Sequence, residues 1–227
     1  SGIIGYDYLD YGLRGRIPPH LFYPISNATD LSYTFYRMPL LNPYKWNAAN
    51  GKDGEFYSAD TFSKLTKLIS LSNMFYFCII PAHINLPVDS YVNCIQLQDI
   101  SSMFLSALFE STSAMGQQVD GNLFNKNVNL RNISYAFASG QTVGDWLDRS
   151  PKKINSTLFN VDKHKRLTNV TGLFYNASST VGSVPEFWNW LNTLSASNRA
   201  NVFYKMKKSN ISNSASIPTD WANGMTN

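Results

Sequence analysis

Charge is scarce in this chain. Asp, Glu, Lys and Arg make up 15% of its 227 residues, well under the roughly 25% of an average globular protein. The net charge of +4 is small. Its densest basic runs, Lys152-Lys153, Lys163 to Arg166 and Lys205 to Lys208, are short and scattered. A nucleic-acid protein concentrates its cations on one surface, so no nucleic-acid partner is expected. Cysteine is nearly absent. Cys78 and Cys94 cannot staple a chain of this size, and they read as reduced, buried thiols in two successive units. The three His, at 20, 83 and 164, share no ligand spacing. Cys78, His83 and Cys94 fall short of the four ligands of a structural zinc site, so no metal and no cofactor are expected. No apolar run is long enough to cross a bilayer, because residues 68–87 are broken by Ser70, Ser72, Asn73 and Pro81. No secretory leader opens the sequence. Phosphate loop, dinucleotide glycines, nucleophile elbow and zincin motif are missing. Glu110, Asp120, Asp145 and Glu186 lie in different units, with no readable pairing for acid–base work. The chain is not expected to be an enzyme.

Asn (24) and Ser (26) supply the polarity instead. Both bond the backbone locally and suit turns. The six Asn-x-Ser/Thr sites, at Asn27, Asn132, Asn155, Asn169, Asn176 and Asn210, read as by-products of that composition. A phrase recurs around them: apolar, two residues, apolar, Ser or Thr, two residues, Phe. It carries Leu68, Leu71 and Phe75; Leu97, Ile100 and Phe104; Leu130, Ile133 and Phe137; Leu167, Val170 and Phe174. A weaker copy holds Leu31 and Phe35. The steps from Phe35 through Phe75, Phe104 and Phe137 to Phe174 are 40, 29, 33 and 37 residues. A drifting period of this kind marks a stacked array, with insertions at 42–60 and 140–155 looping out. Within each phrase the apolar residues fall at i, i+3 and i+7, which predicts two turns of helix. Asp30, Asp99, Asn132 and Asn169 sit where they cap that helix or bond its first turn. Phe22, Phe62, Phe124 and Phe159 recur upstream. Ile17-Pro18, Ile80-Pro81, Leu86-Pro87, Val184-Pro185 and Ile217-Pro218 read as short strands stopped by Pro. The expected units are 13–62, 63–92, 93–124, 125–159, 160–194 and 195–227.

Asn132-Ile-Ser-Tyr-Ala-Phe137, Asn169-Val-Thr-Gly-Leu-Phe-Tyr-Asn-Ala177 and Leu13-Arg-Gly-Arg-Ile-Pro-Pro-His-Leu-Phe22 resemble leucine-rich repeats of the BspA type and the related repeats of mycoplasma surface lipoproteins. The chain departs from that pattern in lacking the family's Cys after the Phe and in its last unit, Arg199-Ala-Asn-Val-Phe203. The resemblance implies an α/β fold: a leucine-rich-repeat-like solenoid of about five to six irregular units. Short parallel strands would lie on one face and short helices on the other. It also implies binding rather than catalysis. The leading expectation is a structural or tail-fibre component of a bacteriophage virion. The alternative is a bacterial surface adhesin for host protein or glycan. A third reading, from another class, is a glycan-degrading enzyme on a solenoid. The expected partners are other subunits of a larger, oligomeric assembly or a cell-surface receptor.

Most Phe are in phase with the repeat and read as core. Tyr6, Tyr8, Tyr11, Trp46, Trp146, Trp188 and Trp190 are out of phase. They are the candidate binding residues, because Tyr and Trp give large, rigid contact area. Trp221 is out of phase as well. The sequence opens in mid-repeat at Ser1 and ends without a charged helix after Phe203. Part of a larger protein, with at least one end covered, is therefore expected.

Overall fold

The computed structural model describes residues 17, 19–38, 54–55, 57–80, 84–86, 88–109, 119–140, 151 and 153–227. Six copies of the phrase lie in register, one above the next, as rungs. Position 0 of each rung is Asp30, Ser70, Asp99, Asn132, Asn169 and Asn198 in turn. The first five are joined by parallel bridges. The N–H groups at positions 1, 3, 5 and 7 then donate to the carbonyls at positions 0, 2, 4 and 6 of the following rung. Ile133 to Asn169, Tyr135 to Thr171, Phe137 to Leu173 and Ser139 to Tyr175 are one such set, at 2.8–3.0 Å. Alternate N–H groups close turns inside the rung, as in Ala136 to Ile133 and Ala138 to Tyr135. Every N–H of this stretch thus finds a partner, which buried backbone requires.

This bonding replaces the expected helices. Among the described residues no α-helix forms, only short 3-10 turns such as Ala59–Phe62 and Ser156–Leu158. The reason is local. Position 3 (Tyr33, Asn73, Ser102, Tyr135, Asn201) and position 7 (Arg37, Phe77, Ser106, Asn176, Lys205) adopt positive φ of 54–62°. A left-handed residue ends a helix and aims its N–H outward. Here that N–H meets the next rung's carbonyl. A run of three-residue turns also returns to the same side at i and i+3, so its apolar spacing imitates a helical face. The Asp and Asn at position 0 do bond the first turn: Ser32, Ser101, Ser134 and Thr171 donate to their side-chain oxygens at 2.7–3.1 Å.

Among the described residues six two-residue strands form three parallel pairs. β1 (Gly54–Glu55) pairs β3 (Ile84–Asn85), β2 (Ile79–Ile80) pairs β4 (Leu108–Phe109), and β5 (Lys153–Ile154) pairs β6 (Val181–Gly182). Ile17 bridges Tyr57, and Gly182 continues to Ile211. Ile17 and β2 stop directly before Pro18 and Pro81, where the missing N–H ends pairing.

Two aromatic columns fill the interior. In the first, Phe35, Phe75, Phe104, Phe137, Phe174 and Phe203 stack at centroid distances of 5.4–6.2 Å. In the second, Phe22, Phe62, Tyr91, Phe124, Phe159, Phe187 and Trp221 follow at 5.1–6.2 Å. Leu31, Leu68, Leu71, Leu97, Ile100, Leu130, Ile133, Leu167 and Val170 pack beside them, all buried. Residues 218–227 form a partial last rung. Trp221 closes the second column, and Lys205 donates to the Gly224 carbonyl. The chain's own residues therefore cover Phe187 there, where the sequence suggested an open end.

Candidate functional site

The groups best suited to chemistry are buried and bonded to the backbone. Cys94, Asn127 and His164 occupy one position in three successive rungs. Each donates to the carbonyl of the preceding rung's aromatic residue: Cys94 to Phe62 at 3.8 Å, Asn127 to Tyr91 at 2.9 Å, His164 Nε2 to Phe124 at 3.2 Å. The Asn160 N–H donates to His164 Nδ1 at 3.1 Å, which fixes the neutral tautomer. Burial holds the imidazole below its ordinary pKa, against the raising effect of those two hydrogen bonds. Cys78 donates to the Phe35 carbonyl at 2.9 Å. Burial pushes both thiols up to about 12, so they stay protonated and poorly nucleophilic. Both are free. Among the described residues no three His, Cys, Asp or Glu gather as metal ligands. His83, Glu110 and Asp145 lie outside the described residues.

The candidate aromatics divide. Tyr6, Tyr8, Tyr11, Trp46 and Trp146 fall outside the described residues. Trp188 and Trp190 are half-buried. The first meets Phe203 edge-on at 6.4 Å and the second lies 5.8 Å from Phe187. Both pack against the core and stay partly open to solvent. Trp221 is 4% exposed, inside the second column.

Two exposed aromatics, Tyr33 and Tyr36, and four half-buried ones are in phase with the repeat, where sequence reasoning assigned the Phe to the core and made no assignment for these Tyr. Positions 3 and 6 of the rungs carry Tyr33, Tyr36, Tyr76, Tyr135, Tyr175 and Tyr204. Tyr33 is 59% exposed and Tyr36 37%. Tyr36 stacks on Tyr76 at 4.8 Å and Tyr175 on Tyr204 at 4.9 Å. Arg37 lies over the Tyr36 and Phe77 rings, and Lys205 over Tyr204. Left-handed turns at positions 3 and 7 throw these side chains outward, while their neighbours at 4 and 5 point in. The signal available in sequence was a Tyr directly after Phe35, Phe75, Phe174 and Phe203, and two residues before Phe35 and Phe137.

A second surface runs along the edge between the second aromatic column and the phrase. Lys64 and Lys67 stand on the second rung, Lys126 on the fourth, and Lys163, Lys165 and Arg166 on the fifth. Arg166 Nη1 donates to Asn129 Oδ1 at 2.6 Å, and Lys163 donates to Asn125 Oδ1. These acceptors are neutral amides. Among the described residues the sole ion pair is Arg199 with Asp220, at the far end. Between the third and fourth rungs the edge holds a hollow of about 260 Å³, lined by Val88, Asp89, Val92, Asn122, Leu123, Asn125 and Lys126. The stacking brings the run Lys163 to Arg166 onto one edge with Lys64, Lys67 and Lys126, which are scattered in sequence.

Comparison of the chain with protein families, with curated proteins and with solved structures finds no match. Among the described residues no helix is long and apolar enough to cross a membrane.

Proposed function

We propose that this chain is a non-enzymatic, leucine-rich-repeat-like solenoid that works by binding along its outer surfaces. The observation that carries the reading is the use made of its reactive side chains. Cys78, Cys94, Asn127 and His164 each donate to a backbone carbonyl of the neighbouring rung. Groups spent on stacking neighbouring rungs are not poised for proton transfer or nucleophilic attack. The surface instead repeats from rung to rung, as suits an extended partner. With the BspA-type resemblance, this supports a structural or tail-fibre component of a bacteriophage virion. Its partners would be neighbouring subunits or a host-surface receptor. The in-phase Tyr face favours the second reading, a surface adhesin, because Tyr is a preferred anchor in protein contacts.

An antiserum against the chain tests the assignment, applied to purified virions and to cell envelopes from the same source culture. Labelling of virions is expected. Labelling confined to envelopes would establish the adhesin reading. Release of reducing ends from bacterial polysaccharides by the purified chain would overturn the non-enzymatic reading.

A further inference from the structure

We propose that the basic edge is a binding site for an acidic polysaccharide. A neutral sugar would sit in the hollow beside Lys126, with acidic groups on the rungs to either side. The inference rests on the reading of the chain as a non-enzymatic binding module.

Three features of the edge lead there. First, its cations are unneutralised. Among the described residues, Lys64, Lys67, Lys126, Lys163, Lys165 and Arg166 have no carboxylate within ion-pair distance. Asn125 and Asn129 orient two of them while leaving the charge in place. Second, the hollow has the mixed lining that a sugar ring needs. Val88, Val92 and Leu123 supply an apolar wall, and Asp89, Asn122 and Asn125 supply donors and acceptors for hydroxyls. Few, well-placed polar groups on an apolar wall are the usual make-up of a small-ligand site. Third, successive rungs stack here, with Phe62, Tyr91, Phe124 and Phe159 following one another at ring-centroid distances of 5.1–5.9 Å, so a periodic polymer meets a similar backbone at each step.

The same features disfavour a nucleic acid. Single strands stack their bases on exposed aromatic rings. The aromatics of rungs three to five, Tyr91, Phe124 and Phe159, are buried, and Tyr23 already carries Lys64 at 5.7 Å. Asp89 lines the hollow beside Lys126. It repels a backbone charged at every unit, and it spares a chain charged only at intervals.

The test uses the 227-residue chain and fluorescently labelled polymers. The set is hyaluronan (carboxylate), a capsular polysaccharide with a neutral sugar and one phosphodiester in each repeat (phosphodiester), dextran (neutral) and oligo-dT. Binding of at least one acidic polymer, weakening as salt rises, is expected; which of the two binds separates carboxylate from phosphate. The exposed triple variant K64Q/K126Q/K165Q should fold unchanged by circular dichroism. It should bind on the order of a hundredfold more weakly, about fivefold for each lysine removed from an anionic partner, with a shallower salt dependence. Equal binding of dextran, undiminished binding by the triple variant, or no binding of either acidic polymer overturns the site. Tighter binding of oligo-dT than of both acidic polymers reassigns the edge to nucleic acid. Shortening of a bound polymer, seen by size exclusion, would overturn the non-enzymatic reading and leave the site standing.

Discussion

Phe137→Ala should be among the most damaging single changes in this chain. Phe137 is fully buried at the middle of the first aromatic column. Its ring lies 5.5 Å from Phe104 and 6.0 Å from Phe174, stacked with both. Truncation empties a phenyl-sized volume that neighbouring rungs cannot close, since their backbones are fixed by hydrogen bonds such as Phe137 to Leu173 at 3.0 Å. Cavity formation at a buried Phe costs about 3–5 kcal/mol. Each lost stacked pair contributes a further ~0.5–1.5 kcal/mol. Total stability of a domain is about 5–15 kcal/mol, so the variant should lie near its unfolding midpoint in mild denaturant. Urea titration followed by Trp fluorescence measures the loss. Tyr36→Ala, at the 37%-exposed end of an outer stack, is the control. It should lose only the pair term of about 0.5–1.5 kcal/mol. A Phe137→Ala loss below about 1.5 kcal/mol, or one equal to that of Tyr36→Ala, would mean that the columns do not bear the stability of the stack.

Four further outcomes follow from named contacts. Asn127→Ala removes the two hydrogen bonds that its amide gives the Tyr91 and Cys94 carbonyls at 2.9 and 3.0 Å, while those carbonyls keep the backbone N–H groups of Cys94 and Leu97; a loss of about 0.5–1.5 kcal/mol per bond is expected, read by chemical denaturation. His164 is held neutral by burial, so its folded pKa is below the ordinary 6.5. The unfolded chain then binds more protons on acidification, so stability is whole above about pH 6.5 and falls as pH drops from there towards the folded value. His164→Gln, which keeps an amide donor, should flatten that part of a melting-temperature profile against pH. Cys78 and Cys94, with pKa values of about 12 and no exposure, should ignore a thiol-specific reagent at pH 8 and react when urea is added. Gly182→Ala should cost more than Gly172→Ala by equilibrium denaturation. At Gly182 (φ 113°) the new Cβ falls 2.3 Å from the Ile154 backbone oxygen, whereas at Gly172 it meets only the movable ring of half-buried Tyr135. Five side-chain-bearing residues already hold Gly172's position at positive φ.

The sequence by itself determined the phase of the array. Phe35, Phe75, Phe104, Phe137 and Phe174 recur at the same place in the phrase, and apolar repetition is legible because each unit must bury the same face against its neighbours. At Ile17 and Ile80 it also marked where pairing stops, since the Pro that follows has no N–H to offer, whereas Val184-Pro185 and Ile217-Pro218, read as strands too, lie in none. Tertiary structure alone decided the backbone path between those points. Leu130, Ile133 and Phe137 are spaced as on a helix, but their N–H groups have a choice of acceptor, and only the neighbouring rung supplies the carbonyls that make left-handed turns the better solution. The second column was half legible. Phe22, Phe62, Phe124 and Phe159 announce it, while Tyr91, Phe187 and Trp221 change residue type and spacing, and a stack accepts any flat ring. The equivalence of Cys94, Asn127 and His164 was illegible, because a thiol, an amide and an imidazole share no chemistry except a donor aimed at one carbonyl. The basic edge was illegible for a related reason. Lys64, Lys126 and Lys163 are far apart along the chain, and the stacking of the rungs sets them on one edge, Lys126 and Lys163 on neighbouring rungs and Lys64 two rungs from Lys126.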